Sequence, residues 1–231
     1  MAENTIFIKK YSADDKRFEI NSKEVWRYAG YSGIAASVDS ELQKIYDQMI
    51  KELEGKFAYK VCYRRMEIEW SDDMPLLPFP SESKNLAKCL KGSNEIVIFA
   101  ATIGLEIDRY IAKYQRLSST KALLMQAYGA ERVECLCDVF CSEIRDEAAK
   151  QGLSCSARFS PGYGDLPLEK QKDFFRLLDC NRQIGISLNE SLLMTPSKSV
   201  TAIFGLGSCL GEKTGHKCSN CTKTDCEYKN K

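Results

Sequence analysis

The pattern of apolar and polar positions along the chain alternates between helical and strand periods. Residues Val38, Leu42, Ile45, Tyr46, Met49 and Leu53 recur at helical spacing, which predicts a helix ended by Gly55. Asn21 followed by Glu24 has the form of a capping box, and it predicts a short helix closed by Gly30. Phe18, Glu19 and Ile20 read as a short strand before it. Cys62, Met66, Ile68 and Trp70 alternate with Tyr63, Arg65, Glu67 and Glu69, the period of a half-buried strand. The stretch MPLLPFPSES reads as a turn region, followed by a short helix over residues 83–90. Residues 96–101, IVIFAA, are an uninterrupted apolar run and predict a central strand that breaks at Thr102, Ile103 and Gly104. A helix through Ile107, Tyr110 and Ile111 follows.

The longest predicted helix covers about residues 120–151. One of its faces carries Val133, Leu136, Cys137, Phe140 and Ile144, which suits packing on a core. A second stripe holds Ala127, Ala130, Glu134, Cys137 and Cys141, small enough to let a backbone or a ligand approach Glu134. A helix over about 168–179 comes next. Residues 184–188, 192–194 and 200–206 read as strands, with Pro196 in a turn. Helices and closely spaced strands together predict an α+β fold, a mainly antiparallel twisted sheet with flanking helices. We expect one main domain over residues 1–207 and a polar, lysine- and cysteine-rich tail over 208–231.

The chain has 231 residues, of which 44% are apolar, with a formal net charge of +1. That is enough apolar content for a core, and a charge so near zero provides no overall field toward nucleic acid or a membrane. The first apolar residues run straight into Lys9 and Lys10, which is not the form of a signal peptide. No apolar run approaches the roughly 20 residues that span a bilayer. These features predict a soluble, cytoplasmic protein with neither nucleic-acid nor membrane partners.

Eleven cysteines are present. Seven are scattered, and they read as small buried hydrophobes. The other four, Cys209, Cys218, Cys221 and Cys226, form C-x8-C-x2-C-x4-C with His216 beside them. Four thiolates suit tetrahedral zinc or an iron–sulfur cluster, and the spacing does not choose between them. A tail of free thiols is the third alternative.

Residues 157–168, ARFSPGYGDLPL, have a composition that regular packing does not ask for. Proline and glycine there forbid a helix through the middle. Arg158 is a permanent cation whose planar fork fits a carboxylate. Gly162 and Gly164 let backbone N–H groups come close to a ligand. Tyr163 adds an aromatic face and a hydroxyl, and Asp165 could cap the helix that follows or bind a cation. A small zwitterion carrying a ring system suits this set. A rigid connector whose arginine pairs with a surface acid suits it equally on physics alone.

The string RFSPGYGDLPLEKQ, followed by IGISLNESLLMTPSKSVTAIFGL, resembles the activation domain of cobalamin-dependent methionine synthase. The resemblance spans about residues 85–207, including IVIFAATIGLEIDRYI and the long helix. It implies binding of S-adenosylmethionine and a part in returning oxidised cobalamin to methylcobalamin, with an electron from reduced flavodoxin or ferredoxin. It places Arg158, Ser160, Gly162 and Tyr163 on positions that hold S-adenosylmethionine, Arg158 facing the carboxylate. It places Glu134 on the family's acidic position in the long helix. The family's acidic residue near the start of the domain has no counterpart that can be placed here, where RYAGYSG stands. The Asp-x-His-x-x-Gly loop of a cobalamin module is also missing, since the one histidine, His216, has no aspartate two residues before it. The resemblance therefore implies a component of methionine synthase activity that acts in trans on a cobalamin-carrying partner. Two other readings stand beside it: a non-catalytic docking partner of a corrinoid protein, and an iron–sulfur electron-transfer protein working through the cysteine tail.

Overall fold

The computed structural model describes residues 5–12, 14–31 and 38–208. The strands are β1 (Phe7–Tyr11), β2 (Tyr59–Glu67), β3 (Glu69–Ser71), β4 (Met74–Leu76), β5 (Glu95–Thr102), β6 (Ser154–Cys155), β7 (Ser187–Leu188), β8 (Met194–Thr195) and β9 (Ser199–Gly207). The helices are α1 (Ser22–Tyr28), α2 (Ser40–Leu53), α3 (Lys84–Leu90), α4 (Glu106–Gln115), α5 (Ser119–Ala149), α6 (Gln171–Leu178) and α7 (Cys180–Ile184). Five strands form one sheet in the order β1-β2-β5-β9-β6, antiparallel at every step. The architecture is the α+β arrangement that the element pattern predicts.

Strand β5 is uninterruptedly apolar because both of its faces are covered. Its odd positions, Val97, Phe99 and Ala101, join one core with Leu136, Cys137 and Phe140 of α5. Its even positions, Ile96, Ile98 and Ala100, join a second core with Leu86 of α3, Phe174 of α6 and Ile184 of α7. Strand β9 repeats the division, with Ala202 and Phe204 in the first core and Ile203 in the second. Helix α5 thus lies on one face of the sheet and α6 on the other. The α5 face predicted from the sequence is buried at all five positions.

Local signals account for several of the element ends. Asn21 Oδ1 accepts from the Glu24 amide at the start of α1, while Glu24 itself turns to Arg27 instead of completing the box. Asp39, Ser83 and Ser118 cap α2, α3 and α5 in the same way.

Four expectations are corrected. Phe18, Glu19 and Ile20 form no strand: Lys16–Phe18 is a short 3-10 turn, and the Phe18 and Glu19 carbonyls accept from the buried Arg132 guanidinium. The N-terminal strand is β1, hidden in the sequence because Lys9 and Lys10 occupy both of its faces. Lysines suit it, since β1 is the edge of the sheet. The strand expected through Trp70 ends at Glu67. Trp70 belongs to the β3–β4 hairpin, so part of the proline-rich stretch is strand, with Pro75 opposite Trp70. The helix over 168–179 begins as a 3-10 turn at Leu168–Lys170 and stops at Asp179, whose φ is +46°. Helix α7 then takes Ile184, expected to start a strand, and Gly185 at φ +76° ends it.

Among the described residues no helix is long and apolar enough to cross a membrane. Cys209, Cys218, Cys221 and Cys226, together with His216, lie outside the described residues. Within the described residues there is no grouping of histidine, cysteine, aspartate and glutamate that could hold a metal ion.

Candidate functional site

The loop after β6 runs along the outer edge of β9 and then leaves it. Ser154 and Cys155 pair with Gly207 and Leu206. The Ser156 amide donates to Gly205 O at 2.9 Å, and Ser156 Oγ accepts from the Gly205 amide at 2.8 Å. Phe159 and Ile203 exchange both backbone hydrogen bonds at 2.8 Å. Pro161 has no N–H to offer, and the pairing ends there. The chain folds back on itself: the Gly162 amide donates to Leu166 O at 2.9 Å, and the Leu166 amide to Tyr163 O at 3.0 Å. Leu166 is buried in the second core and anchors the turn.

The glycines in this turn serve the backbone. Gly162 has φ +89°, where an L side chain is strained. A Cβ on Gly164 would stand 2.7 Å from Asn85 Nδ2. Asp165 does not cap the helix that follows it. It accepts from Ser83 Oγ and from the Lys84 amide at 2.8 Å, clamping the loop onto the start of α3.

The loop roofs a cleft of about 800 Å³ over the edge of β9. Glu134 of α5, Lys88 and Cys89 of α3, Gln171 of α6, and Val200 and Thr201 of β9 line it, together with Arg158, Ser160 and Tyr163 of the loop. Four of the five residues singled out in the sequence are therefore brought to one cavity. Gly162 is not among the lining residues, and its place is in the turn beneath them.

Arg158 is the electrostatic centre. Its guanidinium donates to Glu134 Oε2 at 3.1 Å and to Asp138 Oδ1 at 2.7 Å. The two acids are one helical turn apart on α5, so one arginine can bridge both. The Arg158 side chain is 17% exposed, against 45% for Glu134 and 72% for Asp138, so a largely buried cation meets two wetter carboxylates. Beneath it, burial pushes the Cys137 thiol up, and pushes that of Cys141 up to about 12, with Arg158 opposing both. Neither is a nucleophile near neutral pH. Helix α1 flanks the acidic side: burial and then the Glu134 charge raise the Tyr28 phenol. Tyr163 is 62% exposed and offers its ring to the cleft mouth.

Sequence reasoning missed Asp138, Gln171, Thr201 and Cys89. The i, i+4 spacing from Glu134 was a usable signal for Asp138. The other three reach the cleft through strand register and helix docking, which leave no local mark.

No curated protein matches the chain. Among solved structures, the crystal structure of the MetH reactivation domain bound to AdoHcy is similar, with a TM-score of 0.64 at 15% identity, covering 87% of this chain and 78% of that one. At that identity the likeness is one of fold. The family model described as vitamin B12 dependent methionine synthase, activation domain, matches residues 85–209, more than half of the chain. The chain belongs to the family of vitamin B12-dependent methionine synthase activation domains.

Proposed function

We propose that the chain binds S-adenosylmethionine in the cleft beside β9 and supports reductive remethylation of cobalamin held by a partner methionine synthase or related corrinoid protein. The observation that carries this is Arg158 on the cavity wall beside Glu134, bridging that acid to Asp138 one turn further along α5. An amino-acid moiety needs a cation for its carboxylate and an anion for its ammonium within a few ångströms, and this cluster offers both. Arg158 would hold the carboxylate, and Glu134 with Asp138 the ammonium. Ser160 adds a hydroxyl, and the exposed Tyr163 ring gives a face for the sulfonium. The donor set fits the ligand, and the solved relative of the same fold is described as bound to AdoHcy.

When bound, S-adenosylmethionine would supply a methyl group to the partner's cobalamin and leave as S-adenosylhomocysteine, with the electron that prepares the cobalamin coming from a reduced flavodoxin or ferredoxin. This chain's own residues bind and orient. The Arg158 charge is present at every relevant pH, so the carboxylate grip does not titrate. Leu166 and the Asp165 clamp hold the loop against α3 and keep Arg158 in register with α5.

Isothermal titration of S-adenosylmethionine into the wild-type chain and Arg158→Ala tests the reading. Saturable binding that the substitution removes supports it. Absence of binding by the folded wild type overturns it, and would favour a docking partner that holds no ligand.

A further inference from the structure

The outer edge of β9 is covered only in part. Antiparallel pairing makes residues of a strand point their N–H and C=O alternately to one neighbour and the other. Gly205 and Ile203 bond outward, to Ser156 and Phe159, while the Leu206 carbonyl accepts from Asn94 on the β5 side. By that alternation the Thr201 N–H and C=O also point outward, one step past the place where Pro161 turns the loop away. Among the described residues nothing pairs with them, and they face the cleft that Thr201 lines.

A second observation points to the same spot. Thr201 and Gln171 are 2% and 7% exposed, and both line the cleft. Thr201 Oγ1 and Gln171 Oε1 are buried without a hydrogen-bond partner. A buried polar atom left unpaired is costly, and two of them beside one cavity call for a ligand that supplies the missing donors.

We propose that the free edge of β9 at Thr201, backed by Gln171, reads the base of the bound nucleoside and selects a 6-aminopurine over a 6-oxopurine. The inference rests on the S-adenosylmethionine reading above and assigns the base end of that ligand. An aminopurine presents an amino donor beside a ring-nitrogen acceptor. The Thr201 carbonyl takes one amino hydrogen, the Thr201 N–H meets the ring nitrogen, and Gln171 Oε1 takes the second amino hydrogen. A 6-oxopurine presents acceptor and donor in the opposite order. With its ribose and amino-acid end fixed by Arg158, it could satisfy this edge only by turning over.

The test titrates S-adenosylhomocysteine and its deaminated counterpart, S-inosylhomocysteine, into the wild type and Gln171→Leu, with amide exchange of Thr201 followed by NMR. We expect the wild type to bind the inosyl compound at least about tenfold more weakly. Gln171→Leu should lose about tenfold for the adenosyl compound and little for the inosyl one. It should keep the wild-type melting temperature without ligand, because Gln171 Oε1 has no partner to lose. The Thr201 amide should exchange more slowly in the adenosyl complex. Equal binding of the two compounds, or an unprotected Thr201 amide in a saturated complex, overturns the base assignment and leaves the binding function standing. Failure of both compounds to bind overturns the two together.

Discussion

Arg158 and Asp138 meet at 2.7 Å beside the cleft, the arginine from the loop after β6 and the aspartate from α5. The cation is largely buried while the carboxylate is mostly exposed. That asymmetry tells what a ligand can exchange. Arg158 must keep a partner, because removing one from a buried charge is costly. Asp138 can return to water at small cost. On the proposed function, an incoming carboxylate would take the place of Asp138 on Arg158, and the two acids would face the ammonium.

From this arrangement Arg158→Ala should abolish binding of S-adenosylmethionine, a loss of at least about 100-fold or about 2.7 kcal/mol. Asp138→Asn should act more weakly, within about tenfold. Calorimetric titration of both variants checks the order. An Asp138 variant weaker than Arg158→Ala would show that the arginine does not carry the ligand.

The parts of this site differ in how far the sequence discloses them. Strand β5 and helix α5 are plain because burial of whole faces forces a continuous apolar run in one and a 3.6-residue period in the other. The loop announces itself through Pro161, Gly162 and Gly164, whose backbone needs are local. The family resemblance added Glu134, which composition alone would leave as a solvated helix position. Thr201 leaves no local mark because its place at the cleft is set by strand register with Ile203 and Phe159. Helix α7 was hidden because five residues after a left-handed Asp179 are too few for a period to show. Strand β1 was hidden because edge strands tolerate the lysines that erase alternation.

Asp165 couples the loop to pH. The Ser83 hydroxyl first, and then the Lys84 and Asn85 amides, hold its carboxyl below the ordinary 3.8. A depressed folded value means stability that is present above the unfolded carboxyl's pKa and is lost as pH falls through the folded one. Asp165→Asn removes the charge that faces the start of α3. It should lower the melting temperature at pH 7. The gap to wild type should narrow below about pH 4 and close once the wild-type carboxyl is protonated. Melting curves from pH 7 to pH 2 test this, and a gap constant across that range would rule out the charge as the cause.

Gly205 seats α3 against β9. A Cβ there would stand 1.9 Å from Ser93 Oγ and 2.7 Å from Ser93 Cβ, just beyond the end of α3. Gly205→Ala should destabilise the fold by about 1–3 kcal/mol. Ser93 Oγ is buried with no partner, so removing it sacrifices no hydrogen bond. Adding Ser93→Gly should therefore restore much of the loss. Urea unfolding of the two single variants and the double variant measures the coupling. Additive losses would mean that the clash is not with Ser93.

Three half-buried cysteines give an internal comparison for the position of the ligand. Cys89 and Cys155 line the cleft, whereas Cys135 does not and lies under Arg17, to whose carbonyl its thiol donates at 3.7 Å. Cys62, Cys137 and Cys180 are buried, and Cys141 is buried with its thiol pushed up to about 12, so none of these should alkylate in the native protein. Burial also raises the Cys135 and Cys155 thiols, so rates must be compared at each site with and without ligand. With S-adenosylmethionine at ten times its Kd, the free protein falls to about a tenth. Alkylation of Cys89 and Cys155 should then slow by about that factor, while Cys135 keeps its rate. Peptide mapping by mass spectrometry resolves the sites. If calorimetry shows saturation and Cys89 still reacts at its free rate, the ligand binds away from the β9 cleft, and the assignment of Arg158, Glu134 and Tyr163 to it fails.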